Sequence, residues 1–321
     1  MMKISNLVFK FDSLIETLKK YDKIAIFGHV HPDGDCYGAA IGLREILKTR
    51  FPKKEVKTIS SGHPLFFDIL NESFEEVSDD FLKKSFAIFV DVNNFNRVED
   101  NRYSLCDDYF IIDHHMVDEP VDENKSIIDT SFIATCELIA YLAYKHNYSL
   151  NSLTSHALYL GLVTDSNRFL FSPLNERTFL VASYLLSFGV DTERMYKLLY
   201  LKEEKDLVLT GYILSRYKKS SNGVLYFIMK EEELKKLNVK QEEVATRVNL
   251  LSNVKGADVF CFIVDGSPVR CEIRSSKRNV RDVARVFGGG GHLHASGCRL
   301  ANIEEAGRLI EALDELMKED E

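Results

Sequence analysis

Aspartate and histidine side chains follow three apolar, strand-like runs of this sequence, a placement that suits metal binding. They are His29, His31, Asp33 and Asp35 after the first run, Asp91 after the second, and Asp113, His114 and His115 after the third. In an open α/β sheet, ligands gather beyond the carboxyl ends of the strands, so side chains far apart in sequence converge on one crevice. The pattern therefore predicts a hydrolytic site that holds two metal ions.

The types of donor indicate which ions this site binds. The candidate carboxylates are those of Asp33, Asp35, Asp91, Asp113 and Asp165. Up to four imidazoles and no thiolate accompany them. Such donors favour hard or borderline cations such as Mn²⁺ over structural zinc. Two ions about 3.5–4 Å apart lower the pKa of a bridging water and orient the resulting hydroxide. They also stabilise the attacking and the leaving oxygen during hydrolysis of a phosphoryl ester. We therefore expect two Mn²⁺ or Mg²⁺ ions and the hydrolysis of a phosphoester.

Each segment also has a plain structural explanation. A lone strand-end residue such as Asp91 more often forms a turn or a cap, and residues 29–35 could cap the helix that follows them. Asp165 and the nearby Arg168, a candidate phosphate clamp, would by themselves form a helix-end turn. Two carboxylates and two imidazoles within residues 29–35 exceed what a cap needs, so the segments together favour the metal site.

Length and composition describe a globular chain of two domains. The 321 residues exceed what one core usually fills, and the net charge of −8 argues against a general nucleic-acid coat protein while leaving room for a local basic cleft. Six scattered cysteines without a C-x-x-C pair indicate neither a disulfide framework nor a structural zinc site. The N-terminal residues do not resemble a secretory signal and no apolar stretch is long enough to cross a bilayer, so we expect a cytoplasmic location.

Strand-like and helix-period segments alternate through the first half of the chain. Four strands are predicted, at residues 23–27, 56–60, 86–92 and 109–113. Five helices are predicted, at residues 11–20, 37–49, 131–145, 152–163 and 175–188. The third and fourth strands are near-continuous apolar runs, as expected of strands buried on both faces of a parallel sheet. For the helix predicted at residues 131–145, Asp129, Thr130 or Ser131 is available as the N-cap.

These elements predict an α/β fold. We expect an N-terminal, mostly parallel sheet flanked by helices and a smaller C-terminal α/β domain, with the active site in the cleft between them. The first domain is expected to span residues 1–190, a helical connector residues 191–219, and the second domain residues 220–321.

Basic residues and glycines cluster in the second domain, against the negative charge of the whole chain. Between Arg270 and Arg285 there are six basic residues and two acidic ones, and strand alternation places Arg270 and Arg274 on one face. A glycine run at residues 288–291 follows and ends at His292, and the backbone of such a run can approach a ligand closely. A solvated face and a flexible linker are the structural alternatives. The adjacency of the two features favours a substrate clamp.

Together these segments resemble the DHH family of phosphoesterases, which is named for the triplet present here as Asp113-His114-His115. The resemblance is greatest to the nanoRNase and pAp-phosphatase branch of the family, and it spans nearly the whole chain. It implies a DHH catalytic domain followed by a DHH-associated, substrate-binding domain with an Arg-Ser element and a Gly-Gly-Gly-His segment.

The resemblance also implies roles for individual residues. The implied metal ligands are His29 and Asp33 for one ion, Asp35, His114 and Asp165 for the other, and Asp91 as a bridge. The implied catalytic residues are Asp91, His114 and His115, with His115 beside the substrate phosphate. The expected substrate contacts, which include Arg168 from the residue pattern above, are His115, Arg97, Arg168, Arg274, Ser275, Gly289, Gly290, Gly291 and His292.

Three positions depart from the family pattern. His31 stands where many relatives have Asn, Cys36 where a small Ala is usual, and Asn94 where an acidic residue often follows the bridging Asp. Every implied metal ligand is intact. We expect these changes to alter substrate preference or metal choice, since His31 and Cys36 bring softer donors close to the site.

The expected activity is that of a divalent-metal-dependent phosphoesterase acting on short RNA or DNA oligonucleotides, on pAp, or on linear dinucleotides such as pApA. No membrane partner is expected, and a homodimer is left open. An inorganic pyrophosphatase of the same superfamily is the enzymatic alternative, although Arg274 and residues 288–292 argue against it. A non-catalytic dinucleotide sensor is the alternative from another class, although a pure binder would not need a metal pair.

Overall fold

The computed structural model of the protein describes residues 4–60, 64–72, 76–117, 119–171 and 173–318. The chain divides into two compact units, Met1–Leu201 and Lys202–Glu321, and the division falls inside the region 191–219 for which a connector is predicted. Each unit has its own sheet and its own apolar core. The predicted α/β class, with a parallel sheet in the first unit and a second sheet in the other, is confirmed.

The first unit alternates strands and helices. Its strands are β1 (Lys23–Phe27), β2 (Glu55–Ile59), β3 (Ser85–Val90), β4 (Asp108–Asp113) and β5 (Ser126–Ile128). Its α-helices are α1 (Ile4–Leu18), α2 (Gly34–Arg50), α3 (Pro64–Leu70), α4 (Asp79–Leu82), α5 (Thr135–Lys145), α6 (Ser152–Asp165), α7 (Glu176–Leu186) and α8 (Thr192–Tyr200).

The sheet of the first unit is parallel throughout, in the order β2-β1-β3-β4-β5. Alternate residues of β1 enter different cores: Ile24 and Ile26 pack with α1, α2, α5 and α6, whereas Ala25 and Phe27 pack with α4 on the opposite face. Burial on both faces explains why β1 and β3 consist almost entirely of apolar residues. The chain runs from β1 to β2 on one side and then to β3 on the other, so the strand order reverses between β1 and β3.

Helices α2 and α6 approach each other closely because glycines face the contact. A Cβ atom at Gly38 would lie 2.2 Å from the Ala157 carbonyl oxygen, and one at Gly42 would lie 2.5 Å from a leucine side chain of α6. A larger side chain at either position would force the helices apart, so these glycines set the distance between them. The same contact places Gly161 of α6 against Asp35 in the first turn of α2.

The second unit has a mixed six-stranded sheet in the order β10-β11-β9-β8-β7-β6, in which β7 and β8 pair in parallel. Its strands are β6 (Lys218–Lys219), β7 (Leu225–Met229), β8 (Val259–Val264), β9 (Val269–Ser275), β10 (Gly290–Gly291) and β11 (Ala295–Leu300). Its α-helices are α9 (Glu204–Leu214), α10 (Glu231–Leu237), α11 (Gln241–Ala245), α12 (Val280–Val286) and α13 (Ala306–Leu316).

The region predicted as a connector contributes one helix to each unit. Helix α8 lies in the first unit, and α9 buries Leu209 and Ile213 in a core of the second unit. Among the described residues, no helix combines the length and the apolar character that crossing a membrane requires.

Candidate metal centre

The candidate metal centre lies at the carboxyl ends of β1 and β3, where the strand order reverses. Open α/β sheets place their ligands at this point. The loops after the two strands are joined by backbone hydrogen bonds, from the Val30 N–H to the Arg97 carbonyl at 2.8 Å and from the Glu99 N–H to the Gly28 carbonyl at 3.0 Å. The side chains carried by these two loops are thereby held close to one another.

The loop after β1 directs His29 and Asp33 into this crevice. Asp33 is the N-cap of α2, since its Oδ1 accepts hydrogen bonds from the backbone N–H groups of Asp35 and Cys36, both at 3.0 Å. The Nδ1 atom of His29 lies 2.9 Å from the Val30 carbonyl oxygen, which can only accept, so Nδ1 carries a proton. The other ring nitrogen, Nε2, lies 3.8 Å from Asp33 Oδ1 and is available to a metal ion.

Asp91 is the first residue after β3, and its buried carboxylate faces three histidines. Its Oδ2 lies 3.4 Å from His29 Nε2, whereas its Oδ1 lies 3.6 Å from His114 Nε2 and 3.4 Å from His115 Nδ1. Its backbone has a φ of +59°, a left-handed conformation that is strained for most residues and is concentrated at functional sites. The two oxygens thus face different histidines, as a ligand that bridges two ions requires.

Asp113 holds the two histidines that follow it. Its Oδ1 accepts hydrogen bonds from the backbone N–H groups of His114 at 2.7 Å and His115 at 3.1 Å, and from His115 Nδ1 at 2.8 Å. All three bonds fall on one oxygen of a completely buried side chain. Asp113 therefore anchors this turn and fixes the ring of His115, whose side chain is 49% exposed.

His114 is turned toward a second group of carboxylates. Its Nδ1 donates to the Phe132 carbonyl oxygen at 3.2 Å, which leaves Nε2 directed at Asp165 Oδ2 (3.2 Å) and Asp35 Oδ2 (3.8 Å). Asp165 is the last residue of α6, where the partial negative charge of the helix end disfavours a carboxylate. A nearby cation would offset this unfavourable interaction.

Asp35 lies in the first turn of α2 and is completely buried. Its oxygens accept hydrogen bonds from the backbone N–H groups of Thr135 at 2.7 Å and Cys136 at 2.8 Å, at the start of α5. The N-cap position of α5, Ala134, offers no side-chain bond of its own. The prediction that this helix starts at residue 131 with a cap from residues 129–131 is wrong, because it starts at Thr135 and a carboxylate from another helix caps it.

Thr135 belongs to this cluster although no sequence motif identifies it. Its hydroxyl donates to Asp91 Oδ1 at 3.0 Å, a contact between residues 44 positions apart. A threonine in the first turn of a helix is ordinary, and the sequence carries no sign of its distant acceptor. The contact forms because folding brings the start of α5 next to the end of β3.

The carboxylates and histidines shift one another's pKa values. Burial raises the pKa of Asp35 well above its usual value, and the charges of Asp91 and Asp165 raise it further. Burial would lower the pKa of His114, but the Asp165 carboxylate 3.2 Å away and the charges of Asp35 and Asp91 outweigh this effect and raise that pKa to about 10. Burial would likewise lower the pKa of His29, but the nearby carboxylates of Asp33 and Asp91 outweigh it and raise that pKa. Without metal ions, protons supply the positive charge that this cluster needs.

The residues present fit divalent cations. Among the described residues, the buried Nε2 atom of His114 has no hydrogen-bond partner. Three sets of ligand atoms lie within 4.8 Å of one another, namely His29 with Cys36 and Asp91, Asp91 with His114 and His115, and Asp35 with His114 and Asp165. Imidazole and carboxylate donors suit hard or borderline divalent metals. Asp91 belongs to two of the three sets, so its carboxylate is the group best placed to contact two ions.

Cys36 lies against the same centre. Its buried sulfur accepts a hydrogen bond from the His29 backbone N–H at 3.3 Å, and burial raises the pKa of the thiol to about 12, so the thiol is neutral. A Cβ atom at Gly28 would lie 2.3 Å from this sulfur, so the glycine provides the space that Cys36 occupies. The other two departures from the family pattern, His31 and Asn94, lie on the two loops joined above, His31 exposed and Asn94 half-buried.

Two predicted phosphate contacts of the first unit lie on exposed loops. Arg97 ends a short 3₁₀ turn, Phe95–Arg97, in the loop after β3. Arg168 follows α6 at a left-handed φ of +65°, and its guanidinium stacks over the ring of Tyr200 at 4.8 Å. Both guanidinium groups therefore lie at the surface of the unit that carries the candidate metal centre.

The Arg-Ser element of the second unit lies at the end of β9. The guanidinium of Arg274 contacts Glu272 Oε2 at 3.3 Å. The hydroxyl oxygen of Ser275 accepts backbone N–H bonds from Lys277 at 3.0 Å and Arg278 at 2.6 Å, so it shapes the turn after the strand.

The glycine run of the second unit has two kinds of member. A Cβ atom at Gly289 would lie 2.1 Å from the Gly297 carbonyl oxygen, and Gly291 has a φ of +132° and similarly close neighbours in β11, so packing requires both glycines. At Gly290, by contrast, an added Cβ would meet no described atom within 4 Å. His292 follows this run and is exposed. The open position is therefore the one at which a ligand can approach the backbone.

Comparison with known proteins identifies the family. Residues 23–162 match the DHH family, N-terminal domain, and residues 221–319 match the DHHA1 domain. The chain is 34% identical over 302 residues to the bifunctional oligoribonuclease and PAP phosphatase NrnA of Mycoplasma genitalium, covering 92% of this chain and 94% of that protein. It is 31% identical over 312 residues to the protein of the same name from Bacillus subtilis, covering 96% and 99%.

A solved structure has the same fold. An exopolyphosphatase-related protein from Bacteroides fragilis matches with a TM-score of 0.85 and 26% sequence identity, covering 99% of this chain and 100% of that one. The resemblance inferred from the sequence motifs is confirmed. The chain therefore belongs to the DHH family of phosphoesterases, whose members depend on divalent metals and include these bifunctional oligoribonucleases and PAP phosphatases.

Proposed function

We propose that this chain is a divalent-metal-dependent phosphoesterase that hydrolyses short oligonucleotides, pAp and linear dinucleotides such as pApA to mononucleotides. The observation that carries the proposal is the position of Asp91, whose oxygens face His29 on one side and His114 on the other. This arrangement supports two ions held side by side, as two-metal phosphoester hydrolysis requires. The relatives from Mycoplasma genitalium and Bacillus subtilis, which are named as oligoribonuclease and PAP phosphatase, supply the substrate class.

Six residues would hold the ions. They are His29 and Asp33 for one ion, Asp35, His114 and Asp165 for the other, and Asp91 as the bridge. When bound, two such ions supply Lewis-acid activation of water and stabilise the charge that develops on the phosphoryl oxygens. Oxygen and imidazole donors favour Mn²⁺ or Mg²⁺, and the neutral thiol of Cys36 leaves this preference in place.

His115 would bind the reacting phosphate. The hydrogen bond from its Nδ1 to Asp113 fixes the ring and is the main cause of its raised pKa. The protonated ring offers its Nε2–H at the surface, where it can donate a charge-assisted hydrogen bond to a phosphoryl oxygen. Arg97 and Arg168, on exposed loops of the same unit, would bind further phosphate groups.

In the second unit, substrate binding is assigned to Arg274, Ser275, Gly289, Gly290, Gly291 and His292. The contact of Arg274 with Glu272, at 3.3 Å, is long for a charge-assisted hydrogen bond, so the guanidinium can exchange it for a phosphate. Gly290 leaves its backbone open to a ligand, and Ser275 keeps the turn beside Arg274 in shape.

A substrate panel tests the proposal. The purified full-length chain is incubated with Mn²⁺ or Mg²⁺ and with 5′-labelled di- to pentaribonucleotides, pAp, pApA and inorganic pyrophosphate. We expect mononucleotides or phosphate from the nucleotide substrates, no product in EDTA, and no product from Asp91→Ala. Absence of product from every nucleotide substrate in the presence of metal would overturn the proposal.

The same panel addresses the alternatives. A pyrophosphatase would release phosphate from pyrophosphate, and a sensor would bind a dinucleotide without turning it over. Neither is favoured, because the two relatives compared above, which match almost the whole chain, are named for nuclease and phosphatase activities. A cytoplasmic location stays a prediction from the sequence.

A further inference from the structure

The first turn of α5 contacts two of the proposed metal ligands at once. The Thr135 and Cys136 N–H groups donate to the two oxygens of Asp35, at 2.7 and 2.8 Å. The Thr135 hydroxyl donates to Asp91 Oδ1 at 3.0 Å, and Thr135 is completely buried. A single residue thus contacts a ligand proposed for one ion and the ligand proposed to bridge both.

The hydroxyl bond fixes the rotation of the Asp91 carboxylate. Oδ2 of this group faces His29 at 3.4 Å and Oδ1 faces His114 at 3.6 Å. The last torsion of an aspartate is broad, so the carboxylate rotates easily when nothing holds it. Thr135 is completely buried, and its backbone is fixed by the first turn of α5. Its hydroxyl selects the orientation in which each oxygen faces a different histidine.

The chemical type of Thr135 also suits this position. A buried carboxylate needs a hydrogen-bond donor, but a lysine or arginine would neutralise the negative charge that attracts the ions. A neutral hydroxyl orients the oxygen and leaves the charge in place. Groups that orient metal ligands in this way commonly change metal affinity by about 10- to 100-fold when they are removed.

We propose that Thr135 is a positioning residue of the metal centre, whose hydroxyl orients Asp91 so that two divalent ions bind side by side. The inference rests on the proposed function, because it takes Asp91 as the bridging ligand. Thr135 itself need not touch an ion or the substrate, so its effect is expected on metal affinity and on kcat rather than on substrate binding.

The test compares two substitutions at this position. Thr135→Val removes the hydroxyl and keeps the backbone N–H, whereas Thr135→Ser keeps both groups. Binding of Mn²⁺ to the metal-free, full-length protein is measured by titration calorimetry and by the electron paramagnetic resonance signal of free Mn²⁺. Affinity should fall about 10- to 100-fold in Thr135→Val and stay near the wild-type value in Thr135→Ser. At saturating Mn²⁺, kcat for pAp should fall in Thr135→Val while KM stays unchanged.

Thr154→Val is the matched control. Thr154 is also a buried threonine in the first turn of a helix, and its hydroxyl donates to Asn151 Oδ1 at 2.8 Å. It lies near the start of α6, about 16 Å along the helix from Asp165 at its end. Its loss should lower the melting temperature and leave the affinity for Mn²⁺ unchanged.

The outcomes separate this inference from the proposed function. If the wild type binds no Mn²⁺, the metal centre itself is refuted and the positioning role falls with it. If the wild type binds Mn²⁺ and Thr135→Val binds it equally well, the positioning role alone is overturned. Folding is checked by circular dichroism, and Thr135→Ala replaces the valine variant if that variant does not fold. Failure of both to fold beside a normal serine variant would show that the hydroxyl serves the fold, which also overturns the inference.

Discussion

Replacing Asp91 with asparagine should abolish activity, destabilise the metal-free protein and remove most of the stabilisation that Mn²⁺ provides. The amide oxygen can still accept the Thr135 hydroxyl bond, but an uncharged amide no longer offsets the positive charge of the protonated His29 and His114 rings. Asparagine also adopts the left-handed φ of +59° found at this position more readily than most residues. The substitution therefore removes a buried negative charge and keeps the Thr135 contact and the backbone conformation.

The distances give the size of the effect. The Asp91 carboxylate lies 3.4 Å from His29 Nε2 and 3.6 Å from His114 Nε2, where each opposite charge attracts it by about 4 kcal/mol at an effective dielectric constant of about 20. Asp35 Oδ2 lies 3.8 Å from the same His114 atom, so it is at most about 7.4 Å from Asp91 Oδ1 and repels it by about 2 kcal/mol. Even one ion pair therefore exceeds the repulsion by about 2 kcal/mol, which for a unit of roughly 200 residues corresponds to about 4–8 °C in melting temperature.

Thermal unfolding in EDTA and in Mn²⁺ measures this effect. Near neutral pH, where both rings hold their protons, Asp91→Asn should melt below the wild type in EDTA and gain little from Mn²⁺, while the wild type gains. Asp91→Ala loses the Thr135 contact and the left-handed preference, so it should melt below Asp91→Asn. An asparagine variant that melts at or above the wild type in EDTA would refute the electrostatic reasoning. Retained hydrolysis of pAp would refute the bridging role.

Three further predictions follow from the same contacts. The metal-free protein should lose stability as the pH rises, because the raised pKa of His114 means that the folded state binds its proton more tightly than the unfolded state does. The loss should extend from pH 6.5 to about pH 10. Urea unfolding in EDTA at several pH values checks its sign, and Mn²⁺ should weaken the trend. His115→Gln should lower kcat about 100-fold or more without changing the affinity for Mn²⁺. Asp113→Asn should reproduce part of this loss of kcat. An unchanged kcat in His115→Gln would contradict the role of His115 at the phosphate. Gly289→Ala should destabilise the second unit, because its Cβ would lie 2.1 Å from a carbonyl oxygen of β11. Gly290→Ala should fold normally and raise KM, because an added Cβ meets no described atom there. Equal melting temperatures for the two variants would contradict the packing argument.

The sequence predicts the elements that carry the cluster because motif and hydrophobic pattern coincide there. The strands predicted at 23–27, 86–92 and 109–113 agree with β1, β3 and β4 to within two residues. Each apolar run stops where the polar residue begins, so the strand end and the candidate ligand are fixed by the same few letters. The roles of these residues as metal ligands stay predictions, but their convergence on one crevice is present in the structure.

Contacts between distant segments are what the sequence does not reveal. The start of α5 is misplaced by four residues, because its cap is Asp35 from another helix rather than a neighbour in sequence. Gly34, Gly38 and Gly42 recur at a spacing of four, which is a visible sign of a close helix contact. Their partner α6 cannot be identified from that spacing, since many helices could fit against a glycine stripe.

The double use of Asp35 has a consequence for how this architecture can decay. Its carboxylate caps α5 and faces the metal cluster, whereas Asp165 ends a helix, is 24% exposed and caps nothing. A lineage that abandons catalysis can discard Asp165 at little cost to folding, while a change at Asp35 leaves buried N–H groups without acceptors. Inactive descendants should therefore lose the acid at position 165 early and keep the acid at position 35. Persistence of that aspartate in a sequence records an inherited scaffold, and it is weak grounds for counting the protein among working enzymes.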